Sequence, residues 1–64
     1  MKLKSYYGKN VSIKAVNGKI FSGNVDEYFY PEDNDNEEES IVLKTSNNEL
    51  IEFSRNDISD ITIN

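Results

Sequence analysis

LKSYYGKNVSIKAVNGKIFSGNV, running from Leu3 to Val25, is the stretch whose reading decides the fold. Val11, Ile13 and Ala15 alternate with Ser12 and Lys14, the period-two pattern of a half-buried strand, which places a first strand at about residues 10–16. Asn17-Gly18 follows. Both residues tolerate the positive φ of a type I′ turn, so the spacing predicts a two-residue hairpin into a second strand from about Lys19 to Tyr30. Gly23 stands in the interior of that strand, where a missing side chain marks a sharp bend or a close backbone approach. Phe21, Gly23 and Val25 share one face by simple alternation, whereas Tyr28 and Tyr30 fall out of phase with them. A β-bulge near Asp26-Glu27 accounts for the change of phase.

Working outward, residues 2–7 read as a short turn or single helical turn, with Leu3 and Tyr6 or Tyr7 against the core. Pro31 to Glu39 contains no apolar residue and reads as a loop. Ser40–Thr45 is a third strand, Ser46-Asn47-Asn48 a turn, and Glu49–Ser54 a fourth strand with Ile51 and Phe53 inward. Arg55-Asn56-Asp57 suits a one-turn 3₁₀ connection. Ile58 to Ile63 is a fifth strand with Ile61 and Ile63 on one face. The fold class is therefore all-β, a five-stranded small barrel or strongly bent sheet, in a single domain spanning residues 1–64.

The composition narrows the chemistry. At 64 residues, 36% hydrophobic and 30% charged, the core is thin, which makes assembly with other chains an expected source of stability. There is no cysteine and no histidine, which removes disulfides, the usual zinc and copper ligands, and the commonest catalytic nucleophiles and acid–base groups. Asp57 and Asp60 are read as surface carboxylates rather than a catalytic pair. The expectation is a protein that is not an enzyme and uses no cofactor. No apolar run is long enough to span a membrane and no signal-peptide core follows Met1, so the expected location is cytoplasmic.

Charge is segregated along the chain. Lys2, Lys4, Lys9, Lys14 and Lys19 precede the first acidic residue, Asp26. Glu32, Asp33, Asp35, Glu37, Glu38 and Glu39 hold half of the twelve carboxylates, and the seven basic residues balance the other six. The net charge of −5 is thus a property of one loop. Asp33-Asn34-Asp35-Asn36-Glu37 alternates oxygen ligands as a calcium loop does, but Glu38 takes the sixth position, where glycine is needed, and Lys44 takes the twelfth. The loop reads as solvated rather than metal-binding, with docking of a basic partner as the further possibility.

The order and spacing of Leu3, Gly8-Lys9, Val11, Ile13, Gly18-Lys19, Gly23 and Val25 resemble the opening of the Sm and Sm-like family. Ser54-Arg55-Asn56-Asp57-Ile58 occupies the place of that family's arginine-glycine turn. The resemblance implies a five-stranded SH3-like barrel that assembles into rings. In RNA-binding members an aspartate, an aromatic or apolar residue and an asparagine in the third loop hold a base. Here Tyr28-Phe29-Tyr30-Pro31 begins that loop and the acidic segment follows, with no Asp-x-x-x-Asn match. Asn56 replaces the glycine, which the left-handed tendency of asparagine tolerates. Arg55 is the residue the resemblance carries over as a nucleotide contact.

Three functions are expected on this reading. The first is a binding and assembly module, self-associating by pairing of its fourth strand with the fifth of the next copy, through Leu50, Ile51, Phe53, Ile61 and Ile63. The second is RNA binding in the Sm manner, using Lys19, Tyr28, Tyr30 and Arg55. The third is a monomeric SH3-like adaptor that takes a peptide on its tyrosines. The aromatic residues Tyr6, Tyr7 and Tyr28-Phe29-Tyr30 serve either as core or as a stacking platform.

Overall fold

Alternation in the first strand holds over Asn10–Ala15, which we label β1: Val11, Ile13 and Ala15 are buried while Asn10 and Lys14 are exposed. The structure, a computed structural model, describes residues 2–35 and 37–64. Asn36, the fourth position of the alternating oxygen run, lies outside the described residues. The remaining strands are β2 (Ile20–Phe29), β3 (Ser40–Lys44), β4 (Leu50–Ser54) and β5 (Ile58–Ile63). They form one antiparallel sheet in the order β4-β3-β2-β1-β5, so the chain is all-β. The sheet is not closed into a barrel, because β4 and β5 lie at its two ends without pairing to each other.

Its curvature has identifiable causes. Gly23 passes so close to β3 that a Cβ there would collide with the Lys44 carbonyl. Only a residue without a side chain allows the two backbones to approach this far. Register shifts lie between Val25 and Glu27 on β2 and opposite Lys14–Ala15 on β5, and each bulge adds local twist. The sheet curls far enough for Phe21 of β2 to meet Phe53 of β4, two strands away, ring edge to face at 5.3 Å. The Arg55–Asp57 3₁₀ turn closes the corner between β4 and β5. Asp57 Oδ2 there accepts from both the main-chain N–H and the hydroxyl of Ser54, and Val16 N–H donates to the Asp57 carbonyl.

On the concave side, Leu3, Val11, Ile13, Ala15, Val25, Ile41, Leu43, Phe53, Ile58 and Ile61 form the core, with Tyr6, Phe21, Tyr28 and Ile51 packed against it. Leu3 is delivered by a 3₁₀ turn at Leu3–Tyr6; of its two neighbouring tyrosines, Tyr6 joins the packing and Tyr7 stays exposed.

Two expectations are corrected. The first hairpin is not a type I′ turn. Asn17 keeps a negative φ and only Gly18 is positive, while Gly18 N–H donates to Ala15 O and Ala15 N–H to Lys19 O. That is a type I turn followed by a left-handed residue, a three-residue loop that matches the strand twist equally well. Thr45–Glu49 repeats it with Asn48 in the left-handed place at φ 63°. The acidic segment, in turn, is not loop from its start, since Pro31–Asp33 forms a 3₁₀ turn. No described helix is long and apolar enough to cross a membrane.

Candidate functional site

The bulge in β2 decides what the aromatic run does. Val25 lies opposite Leu43, Glu27 opposite Val42 and Tyr28 opposite Ile41, so the extra residue returns Tyr28 to the core face that alternation alone would have denied it. Tyr30 shares that side because it remains extended, at φ −69° and ψ 153°. Pro31 enforces this, since the residue before a proline is driven from helical to extended geometry. The rings of Tyr28 and Tyr30 meet edge to face, 5.1 Å between centroids at 84°, an arrangement that suits their quadrupoles. Phe29 points to the opposite face, across from Ser40.

The N-terminal turn is bound beside this pair. Gly8, at φ 78°, reverses the chain between the turn and β1. Its N–H donates to the Val25 carbonyl, and Val25 N–H donates to Lys9 O. A side chain at Gly8 would meet no neighbour, so its backbone conformation is what favours glycine there. Lys4 and Tyr7 are thereby set against the end of β2, and together with Glu27, Tyr28 and Tyr30 they line a recess of about 280 Å³. Lys4 Nζ donates to the Tyr30 hydroxyl at 2.6 Å and stands 4.8 Å from the ring centroid. The Tyr28 hydroxyl donates to Glu39 Oε1 at 2.9 Å. Burial first, then that hydrogen bond and the charge of Glu39, push the Tyr28 phenol up to about 12.

The candidate RNA contacts divide accordingly. Tyr28 and Tyr30 come together, and Arg55 N–H donates to Glu39 O, which sets the Arg55 main chain beside the carboxylate that holds Tyr28. Lys19 stands at the hairpin beyond the other end of β2. Tyr7 stands with Tyr6 in the aromatic platform named from the sequence, whereas Lys4 and Glu39 read there only as members of the basic first third and of the acidic segment, with no signal that either would meet a tyrosine.

The candidate interface residues divide as well. Phe53 and Ile61 are already covered within the chain, at 5% and 9% exposure, and Ile51 is half-buried, whereas Leu50 and Ile63 are 64% and 52% exposed. Asn64 N–H donates to Asn10 O, so alternation along the pair turns the main-chain groups of Ile61 and Ile63 away from β1. Arg55 N–H to Glu39 O does the same for Leu50 and Glu52 on β4. Two rows of main-chain donors and acceptors therefore face outward from opposite ends of the sheet.

A second hollow, lined by Asn34, Asp35, Ser40, Glu52, Ser54 and Asp57, lies where the acidic segment folds back over β3. Its polar groups bond to one another. Asn34 donates to Glu38 O and to Ser40 Oγ, and the buried Ser40 hydroxyl donates to Glu52 Oε2. Among the described residues no group of three Asp, Glu, His or Cys side chains is placed to hold a metal ion.

Comparison of the chain with family models, with curated proteins and with solved structures finds no match.

Proposed function

We propose that this chain is a non-enzymatic small-barrel module of the Sm-like kind that works by binding and assembles with itself through its edge strands. The observation that supports this reading is the sheet order β4-β3-β2-β1-β5 with both ends unpaired. β4 and β5 are five and six residues long, well matched for pairing. Neither contains lysine or proline, two of the residues that protect an edge, and each carries a single carboxylate, Glu52 or Asp60. The bulge near the start of β5 leaves Asp60–Ile63 regular and available.

Pairing β4 of one copy with β5 of the next is heterologous, so it closes into a ring when the rotation per subunit permits. Leu50 and Ile63 supply the exposed apolar contact. Phe53 and Ile61 act indirectly, by keeping the edges in shape from the core side. Light scattering on a size-exclusion column tests the reading: a native mass several times the 7.4 kDa of one chain supports it, and a monomer at all concentrations rejects it.

RNA binding is the weaker alternative. Tyr28, Tyr30 and Arg55 offer the groups it needs, but Glu27 and Glu39 stand among them and repel phosphate. A salt-sensitive shift with a short uridine-rich oligonucleotide would revive it.

A further inference from the structure

We propose that the recess at the end of β2 receives a cationic side chain, an arginine or lysine carried on a basic peptide segment of a partner protein. Three tyrosines, Tyr7, Tyr28 and Tyr30, one carboxylate, Glu27, and the Lys4 side chain, which an incoming cation displaces, line it. Aromatic faces and a nearby negative charge are the combination that attracts an organic cation, by quadrupole and by Coulomb force. The site already accommodates one, since the Lys4 ammonium sits at its rim, hydrogen-bonded to Tyr30 and within cation–π range of the ring.

The inner tyrosine, Tyr28, has its polar tip tied off to Glu39 and its ring packed edge to face against Tyr30. The Tyr28 ring is thus fixed before any ligand arrives, and little of its side-chain entropy is lost on binding. The electrostatic setting selects the partner. Glu32 and Glu39 both act on Tyr28, and the acidic run from Glu32 to Glu39 begins two residues after Tyr30. A basic segment whose one cationic side chain fills the recess lays its neighbours along that run, whereas a nucleic-acid backbone is repelled from the same place. The recess is built from the central strand and the N-terminal turn, not from either free edge, so peptide binding and self-association are separate readouts.

The test is a titration of the full chain, followed by amide NMR at low salt, with a short peptide of alternating glycine and arginine. The same peptide with citrulline in place of arginine serves as the uncharged control. The arginine peptide is expected to move the resonances of Lys4–Tyr7 and Glu27–Tyr30, with the citrulline peptide inert. Tyr30→Ala, at an exposed site, is expected to weaken binding by about two- to fivefold, the range for a cation–π contact in water. Lys4→Ala removes the resident cation and is expected to tighten binding by a similar factor, and Tyr30→Phe, which keeps the ring and releases Lys4, is expected to bind at least as well as the parent. Equal binding of the citrulline peptide overturns the proposal. So does parental affinity in a folded Tyr30→Ala protein, or a response at these resonances to a uridine-rich oligonucleotide but not to the peptide.

Discussion

The Tyr28 hydroxyl donates to Glu39 Oε1 at 2.9 Å, joining the end of the longest strand to the last residue of the acidic segment. Because burial and this bond raise the phenol to about 12, the folded chain holds its proton more tightly than the unfolded chain, whose tyrosines lose theirs near pH 10. The stability from this preference is complete below about pH 10 and is lost as pH rises through 12. Ultraviolet difference titration of the parent against Tyr28→Phe should reveal a phenol with a midpoint near 12. Glu39→Gln should lower that midpoint while leaving it above the ordinary value, since burial remains.

Gly23 and Gly18 offer a paired comparison. Gly18→Ala meets no neighbour and carries only the penalty of a positive φ, about 1–2 kcal/mol. Gly23→Ala has an ordinary φ but drives a methyl group into the Lys44 carbonyl, which the backbone must move to relieve. Its cost should exceed that of Gly18→Ala and reach about 3 kcal/mol, the upper range for overpacking. Urea unfolding of the two variants ranks them.

At the second hairpin an asparagine occupies the left-handed position that Gly18 fills in the first. Asn48→Gly should therefore stabilise the chain, by up to about 1 kcal/mol, seen as a higher denaturation midpoint with unchanged slope.

Phe53 and Leu50 lie on the same strand and should respond very unequally. Phe53→Ala empties a core position against Phe21 and should cost about 3–5 kcal/mol, enough to unfold much of a domain this small. Leu50→Ala should change the stability of the isolated chain by less than about 0.5 kcal/mol. Thermal unfolding followed by circular dichroism separates them.

Much of this architecture was legible in the residues. Alternation located β1, the phase change between Val25 and Tyr28 located the bulge, and the lone glycine inside β2 marked a bend or close backbone approach, which the structure places against Lys44. The turn type was not legible, because Asn-Gly serves a type I turn with a left-handed glycine as readily as type I′. Nor was the division between core and edge among the apolar residues of β4 and β5. Period two tells which residues share a face, but Ile63 shares a face with the buried Ile61 and is itself 52% exposed. The tyrosine recess was half legible. Tyr28 and Tyr30 stand two apart, but their meeting with Lys4 and Tyr7 depends on how Gly8 returns the N-terminal turn to the end of β2, a long-range fact that no local pattern carries.

Assembly of this chain turns on whether the free edges of β4 and β5 pair between copies. Native mass by light scattering on a size-exclusion column, at low and high salt, tests this most directly, with the parent run beside a Leu50→Lys, Ile63→Lys double variant. The parent should elute as a pentamer-to-heptamer ring at both salts, since main-chain pairing is little screened, and the double variant should elute as a folded monomer. A parent that is monomeric at every concentration and salt would contradict the account.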